Sequence, residues 1–459
     1  MADADSGAAP WYTGVTRYQW LVLLIACLGW IFDAFEGQIF VASMNEAMPS
    51  LLPADAYASA AARETAVHFY NNVALGMFLL GGALGGVMFG VLSDRIGRTK
   101  AMILTILMYS CFTGATAFVQ TWWQMALLRF LVAMGVGGEW AVASAMVAEV
   151  FPMRARAYSL GIFHSSSVCG IYLAVLAGFL VVANPRLGWR WGFALGTLPA
   201  LLTLWVRYQL REPEQWIKAR ETARIDRAKR TGSVADLFTR SLLRNTLVGT
   251  TLATVGLGTY WGVHIYGKDL YRQKAKQYYA ALSADATEGS AADATSEGQA
   301  TAVKHAEMLG MLLVNIGALP GLLAFGPISE RTGRRRAFLV YLSGALLSTW
   351  ALFQGFSAAP IEALWIALPI FGFLTGGFHA GFAIYFPELF PTRLRGTGSG
   401  FCFNGGRLAA APILVLVAWL RGQQEMSLEN CVSLLGILFA VGIVALMFAR
   451  ETKGHDLPA

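Results

Sequence analysis

Apolar residues along this chain gather into runs of about 20, long enough to cross a bilayer, whereas a core helix of a soluble domain stays apolar for about 10 to 14. Twelve such runs stand out, near residues 18–41, 69–92, 101–119, 122–150, 157–183, 189–210, 244–268, 305–328, 337–356, 362–387, 397–420 and 428–449. Short polar turns separate most of them, and longer polar connections occupy 211–243 and 269–304. In hydrocarbon every backbone N–H and C=O must be satisfied internally, which a helix does within its own segment. The pattern predicts an all-α polytopic membrane protein with twelve transmembrane helices.

Composition agrees: 56% of the 459 residues are hydrophobic and 14% charged, against roughly 25% charged in a soluble domain. The first run follows a short polar leader and has no small-residue cleavage site at its end, so it reads as a start-anchored helix rather than a removed signal peptide. A net charge of +7 would suit a nucleic-acid partner, but 23 of the 35 Lys and Arg lie in the leader, the even-to-odd connections and the tail, with nine on the other side. That asymmetry excludes a nucleic-acid reading and predicts a multi-pass protein of the cell's inner, cytoplasmic membrane with both termini and the 211–243 linker in the cytoplasm. The five cysteines, Cys27, Cys111, Cys169, Cys402 and Cys431, fall in or at the ends of predicted helices without metal-ligand spacing. They are expected to pack as small apolar residues.

The polar turns carry an internal repeat. G-V-L-S-D-R-I-G-R-T-K from Gly90 to Lys100 recurs 236 residues later as G-P-I-S-E-R-T-G-R-R-R from Gly326 to Arg336. Glu149, Phe151, Pro152, Arg154 and Arg156 recur 239 residues later as Glu388, Phe390, Pro391, Arg393 and Arg395, and Arg211-Glu212 recurs at the same offset as Arg450-Glu451. Whole halves were copied. The expected organisation is a leader at 1–17, a six-helix bundle at 18–210, a linker at 211–243, a pseudo-symmetric six-helix bundle at 244–450 and a tail at 451–459.

The charges inside the predicted helices were not copied. At an offset of 239, Phe378 stands where Glu139 is and Val168 where Arg407 is. A charge at the centre of a spanning helix costs roughly 2.5 to 3.5 kcal/mol, so something must offset it. Asp33 and Glu36, three apart, share one helical face. With Glu139 they are the candidate proton carriers, since substrate or helix movement can switch a buried carboxyl's protonation. The alternative is a set of permanently paired structural acids, with Glu139 held by Arg129. Arg407 offers a planar fork that matches a carboxylate, with Asn404 one turn away, against the alternative of an ion pair with Asp33 or Glu139. His264 and His379, like His164, are candidate shuttles or packing histidines, and Tyr260 and Trp261 are site aromatics or interface anchors.

Gly90, Asp94, Arg95, Gly97 and Arg98, with their copies Gly326, Glu330, Arg331, Gly333 and Arg334, make the chain resemble the major facilitator superfamily from its first helix to its tail. Arg129 with Gly135, Gly137 and Gly138 is similar to that family's helix 4 motif. Asp33-x-x-Glu36, Gly138-Glu139, Glu149-x-x-Pro152 and Asn404-x-x-Arg407 resemble its proton-coupled carboxylate symporters, the branch of aromatic acids, sialic acid and related metabolites. Glu451-Thr452-Lys453-Gly454 resembles the tail of its sugar porters, whose helix 7 signature is missing. The Gly-Pro motif of the drug antiporters is also absent between Tyr158 and Ala183.

The resemblance implies a binding site at the midplane between two rocking halves. It also implies that the loop motifs, with Glu149, Arg154, Glu388 and Arg393, form a cytoplasmic gate. The expected function is proton-coupled uptake of a small organic anion by alternating access. A sugar or polyol porter is the first alternative and a proton-driven exporter the second. Neither an enzyme nor a cofactor or metal is expected. The partners are a small-molecule substrate, protons and the lipid bilayer, and the acting unit is a monomer.

Overall fold

Gly97 and Gly333, the second glycines of the two loop motifs, have φ of +118° and +98° in the computed structural model. Only glycine adopts such angles without strain. Each marks a sharp turn between two long helices, so the repeat read in the sequence is a repeat of backbone geometry. The structure describes residues 10–182, 186–226, 230–285, 292–356, 359–422 and 426–458.

All regular structure is helical among the described residues. The helices are α1 (Arg17–Leu51), α2 (Ala60–Ile96), α3 (Arg98–Thr116), α4 (Trp122–Val150), α5 (Met153–Ser165), α6 (Ser167–Ala177), α7 (Gly188–Leu195), α8 (Ala200–Gln209), α9 (Glu214–Ile225) and α10 (Leu243–Gly262). They continue with α11 (Gly267–Asp285), α12 (Ala292–Thr332), α13 (Arg334–Trp350), α14 (Leu364–Gly377), α15 (Ala380–Leu389), α16 (Arg395–Gly422), α17 (Leu428–Gly436) and α18 (Leu438–Met447). Each of the twelve apolar runs falls on one helix or on a broken pair, the pairs being α5 with α6, α7 with α8, α14 with α15, and α17 with α18. Seven stretches are continuous, long and apolar enough to cross a membrane among the described residues.

Several boundaries differ from the sequence reading: α2 begins at Ala60 and α12 at Ala292, ahead of the apolar runs at 69 and 305. α1 runs ten residues past the first apolar run and ends at Leu51, with Pro49 in its last turn. The connection after α10, read as a polar loop, is helical as α11 to Asp285. Its Lys, Gln, Tyr and Ala residues are tolerated in helices and Asp269 sits in the first turn, where an acid favours helix.

The residues fall into two compact units. One comprises 1–250, 382–408 and 452–459, and the other 251–381 and 409–451. In the first, α2 and α4 approach closely through glycine. A Cβ on Gly85 would collide with the Met134 backbone, and one on Gly137 with the Gly82 backbone. In the second unit α12 and α14 repeat the device, with Gly317 against Pro369 and Gly372 against Val314. Small residues let backbones pack where no hydrophobic effect separates helix from lipid.

Gly85→Val is expected to force α2 off α4 at an overpacking cost of about 1–3 kcal/mol, seen as a lower thermal midpoint in detergent. Gly76→Ala, where a Cβ meets nothing within 4 Å, is the matched control. Equal midpoints for the two variants would refute the packing account.

Candidate functional site

Within the first unit, α3 presents Thr105, Tyr109, Thr113 and Thr116 at intervals of four, four and three, which places them along one helical face. All four are fully buried. The Thr105 hydroxyl shares its one proton between Glu139 Oε2 and the Met102 carbonyl, the Thr113 hydroxyl donates to Glu36 Oε2, and Thr116 Oγ1 accepts from Arg129 at 2.9 Å. Tyr109 Oη has no hydrogen-bond partner. Its charged neighbours are Glu139, Asp33 and Glu36.

The three acids are 1% exposed or less. Four of their six carboxylate oxygens have no hydrogen-bond partner, namely both of Asp33, Oε1 of Glu36 and Oε1 of Glu139. Gly29, one turn before Asp33 on α1, leaves room for the Glu139 carboxylate, since a Cβ there would lie 2.7 Å from Oε1. Arg407 is the cation that acts on Asp33. Its guanidinium lies over Phe403 at 5.5 Å, in contact with Gly82 of α2. Asn404 packs on Gly86 and donates to the Gly400 carbonyl at 3.0 Å, leaving its Oδ1 without a partner.

Arg129 is not bound to Glu139. It is the cation acting on Glu36, and it lies over Phe193 at 4.9 Å and Phe40 at 5.8 Å. Such contacts offset part of the cost of burying a guanidinium.

Tyr260, His264 and His379 gather in the second unit. His264 stacks on Tyr260 at 4.9 Å, and the His379 ring meets Tyr260 edge-on at 5.5 Å. Thr375 donates its hydroxyl proton to the Phe371 carbonyl, so His264 Nδ1, 2.7 Å from Thr375 Oγ1, must be the donor to it. The two His379 nitrogens face the Gly376 and Gly256 carbonyls at 3.0 and 3.1 Å. Trp261 is 41% exposed and meets Tyr260 edge-on at 5.6 Å, at the outer side of this cluster.

The loop-motif residues build a different arrangement, also in the first unit. Arg98 bonds Asp94, bonds Glu149 at 2.8 Å, and donates to the Thr392 carbonyl at 3.0 Å. Arg395 reaches the same Glu149 oxygen at 2.8 Å. Asp94 also accepts from the Gly396 and Thr397 backbone N–H groups at 3.1 and 2.7 Å, which caps α16 and places an anion at a helix N-terminus. Gly90 lets α2 touch Gly396 there. Arg95 donates to the Gly232 carbonyl at 3.1 Å.

Of the paired arginines, Arg395 and not Arg393 binds Glu149. Arg393 instead meets Asp236, whose carboxyl is lowered overall, with slight burial opposed by that arginine and by Ser233. Arg154 is exposed, while Arg156 is buried and donates to the Ala148 carbonyl at 3.0 Å. Glu388 accepts from the Thr452 hydroxyl.

Two acids that sequence reasoning noted only as a repeat have a use here. Glu212 accepts from the Arg98 backbone N–H at 2.7 Å beside Gly97, and Glu451 from that of Arg334 at 2.8 Å beside Gly333. Burial pushes the Glu212 carboxyl up, against the N–H groups at the start of α3. In the second unit Arg334 also pairs with Glu330 at 2.7 Å, close to Gly326, whose carbonyl accepts from Ser329. Arg331 lies in the last turn of α12. A cavity of about 670 Å³ opens beside Glu149 and Glu212, lined also by Gln19 and Arg211; Asp33, Glu36 and Glu139 do not line it.

A sequence profile described as Major Facilitator Superfamily matches residues 37–411. The chain is 28% identical over 453 residues to the "Probable 4-methylmuconolactone transporter" of Cupriavidus pinatubonensis, covering 97% of this chain and 93% of that one. It is 27% identical over 390 residues to the cis,cis-muconate transport protein of Acinetobacter baylyi, covering 83% and 86%. Among solved structures it is similar to the proton:xylose symporter XylE, with a TM-score of 0.70 and 18% identity, covering 96% of this chain and 98% of that one.

Removing one partner of a buried ion pair costs about 3–5 kcal/mol. Glu149→Gln, which takes the carboxylate from Arg395 and leaves Arg98 with Asp94 alone, is expected to lower stability by that amount in chemical or thermal unfolding. A loss no larger than that of an exposed-site control such as Glu214→Gln would refute the shared ion pair.

Proposed function

Because the chain belongs to the Major Facilitator Superfamily, a family of membrane transporters and not of enzymes, we propose that it carries a small organic carboxylate inward together with protons. The observation that carries this reading is the Asp33 carboxylate, buried with neither oxygen hydrogen-bonded and with Arg407 as its cation. A buried carboxylate left without donors is costly. One cation serves two anions in turn: Arg407 offsets Asp33 while the site is empty, and a substrate carboxylate competes for the same guanidinium. When it does, Asp33 is relieved by taking a proton. Glu36 and Glu139, each with one unpartnered oxygen, are the further proton carriers, and Asn404 Oδ1 is a hydrogen-bond acceptor beside the anion.

Energetics support proton coupling. At about 100 mV, negative inside, each excess negative charge brought in opposes roughly 2.3 kcal/mol, which co-transported protons offset. Relatives named for muconate and methylmuconolactone support a carboxylate cargo. The sugar-porter-like tail does not argue for a sugar, because Glu451 spends its carboxylate on the start of α13.

In this reading both termini and the motif-bearing turns are cytoplasmic, in the inner membrane, with bundles at 18–210 and 244–450 joined by a 211–243 linker. The ion pairs of Arg98, Glu149 and Arg395 hold that side shut until substrate and proton enter. Tyr260, His264 and His379 contribute the substrate contacts of the second half. The acting unit is a monomer in lipid.

Proteoliposomes given labelled cis,cis-muconate, 4-methylmuconolactone, benzoate or a hexose, with an internal pH dye, test this. Carboxylate uptake with internal acidification is expected. Asp33→Asn is expected to abolish accumulation above equilibrium while keeping exchange, and Arg407→Ala to abolish both. Hexose uptake alone, or carboxylate uptake without acidification, would sink the proposal.

A further inference from the structure

The α3 hydroxyls connect acids that stand on different helices. Thr105 holds Glu139 of α4, Thr113 holds Glu36 of α1, and the eight residues between them span about 12 Å at 1.5 Å per residue. Tyr109 lies one turn from each. Its hydroxyl is fully buried, has no partner, and has Glu139, Asp33 and Glu36 as its charged neighbours. A buried tyrosine hydroxyl usually finds a partner. Two of the carboxylate oxygens nearest in register, Glu36 Oε1 and Glu139 Oε1, are equally unpartnered. Donor and acceptors therefore stand in one enclosed region with their bonds unmade.

We propose that Tyr109 is a proton relay between Glu139 and Glu36, and that Thr105 and Thr113 position the two carboxyls for it. The inference rests on the reading of these acids as proton carriers. In the step, a protonated carboxyl on one side gives its proton to the phenol oxygen as the phenol O–H bond breaks toward the ionised carboxyl on the other. One O–H forms as one breaks, the phenol stays neutral, and one proton has moved. Threonine hydroxyls do not serve as the relay here, because the single Thr105 proton is shared with the Met102 carbonyl at 2.9 Å and Thr113 is committed to Glu36. The relay requires each acid to come within about 2.6–3.2 Å of the phenol oxygen during the cycle. Gly135 packs α4 closely on α3 here, since a Cβ there would lie 2.8 Å from the Thr105 carbonyl oxygen and 2.9 Å from the Tyr109 backbone nitrogen.

Tyr109→Phe removes only an oxygen that bonds nothing, so the ring's packing is kept. Purified protein in nanodiscs is followed by infrared difference spectroscopy of the protonated-carboxyl stretch during transfer into heavy water, with bands assigned by Glu36→Gln and Glu139→Gln. Tyr109→Phe is expected to slow deuteration of one or both carboxyls by about a hundredfold, the scale of a lost general acid–base step. Thr113→Val is expected to shift the Glu36 band while leaving the Glu139 band in place, a positioning effect. Unchanged exchange in Tyr109→Phe, with the bands present, overturns the relay and leaves the carriers standing. Absence of both bands from the wild type at every pH tested overturns the carriers and the relay together.

Discussion

A carboxylate taken out of water must be given donors, and this protein treats its buried acids in two opposite ways. Asp94 and Glu149 are fully supplied: every oxygen accepts from an arginine, a backbone N–H or a hydroxyl. Asp33, Glu36 and Glu139 are not, with four of six oxygens empty. Both groups are fully or almost fully buried. Satisfied networks rigidify a fold, whereas an unsatisfied buried acid is a group waiting for something to arrive.

Glycine makes a third use of acids possible, at the helix starts. Gly97 and Gly333 turn the chain so sharply that the start of the next helix exposes its N–H groups beside a glutamate from far along the sequence. Glu212 and Glu451 fill those positions, one per half. The device is duplicated because helix ends are a folding problem that both halves share. Among the described residues, Asp33, Glu36 and Glu139 have no counterparts in the second half, as the proposed function would require of groups that handle cargo and driving ion once per transported molecule.

Much of this was legible in the sequence, for identifiable reasons. Twenty-residue apolar runs and a loop motif copied at a fixed offset leave little freedom in fold, and an acid or an arginine in such a run draws notice because it is expensive. Hydroxyls are cheap in a membrane helix, since they can bond their own preceding turn, as Thr116 does to the Phe112 carbonyl at 2.9 Å. The α3 row therefore raised no signal, although spacings of four, four and three would have revealed one face. Partner choice was likewise hidden. Arg129 and Glu139 share a helix, yet ten positions separate them, and the arginine answers to Glu36 on α1. Arg395 rather than Arg393 meets Glu149 because α16 begins at Arg395 and carries that side chain inward.

In the proposed function, the scarcity of cations near Asp33 is what would turn chemistry into coupling. A ligand shifts a conformational equilibrium only by its differential affinity for the two states. If Asp33 had its own permanent arginine, an arriving anion would change nothing for it, and proton and cargo would move independently. With Arg407 as the cation that acts on it among the described residues, binding an anion at that guanidinium would remove the offset from Asp33 and make a proton there favourable. The empty state and the doubly loaded state then carry the same charge around Arg407, and the singly loaded states do not. On the proposed reading, a site with fewer cations than anions links the two cargoes by electrostatics alone.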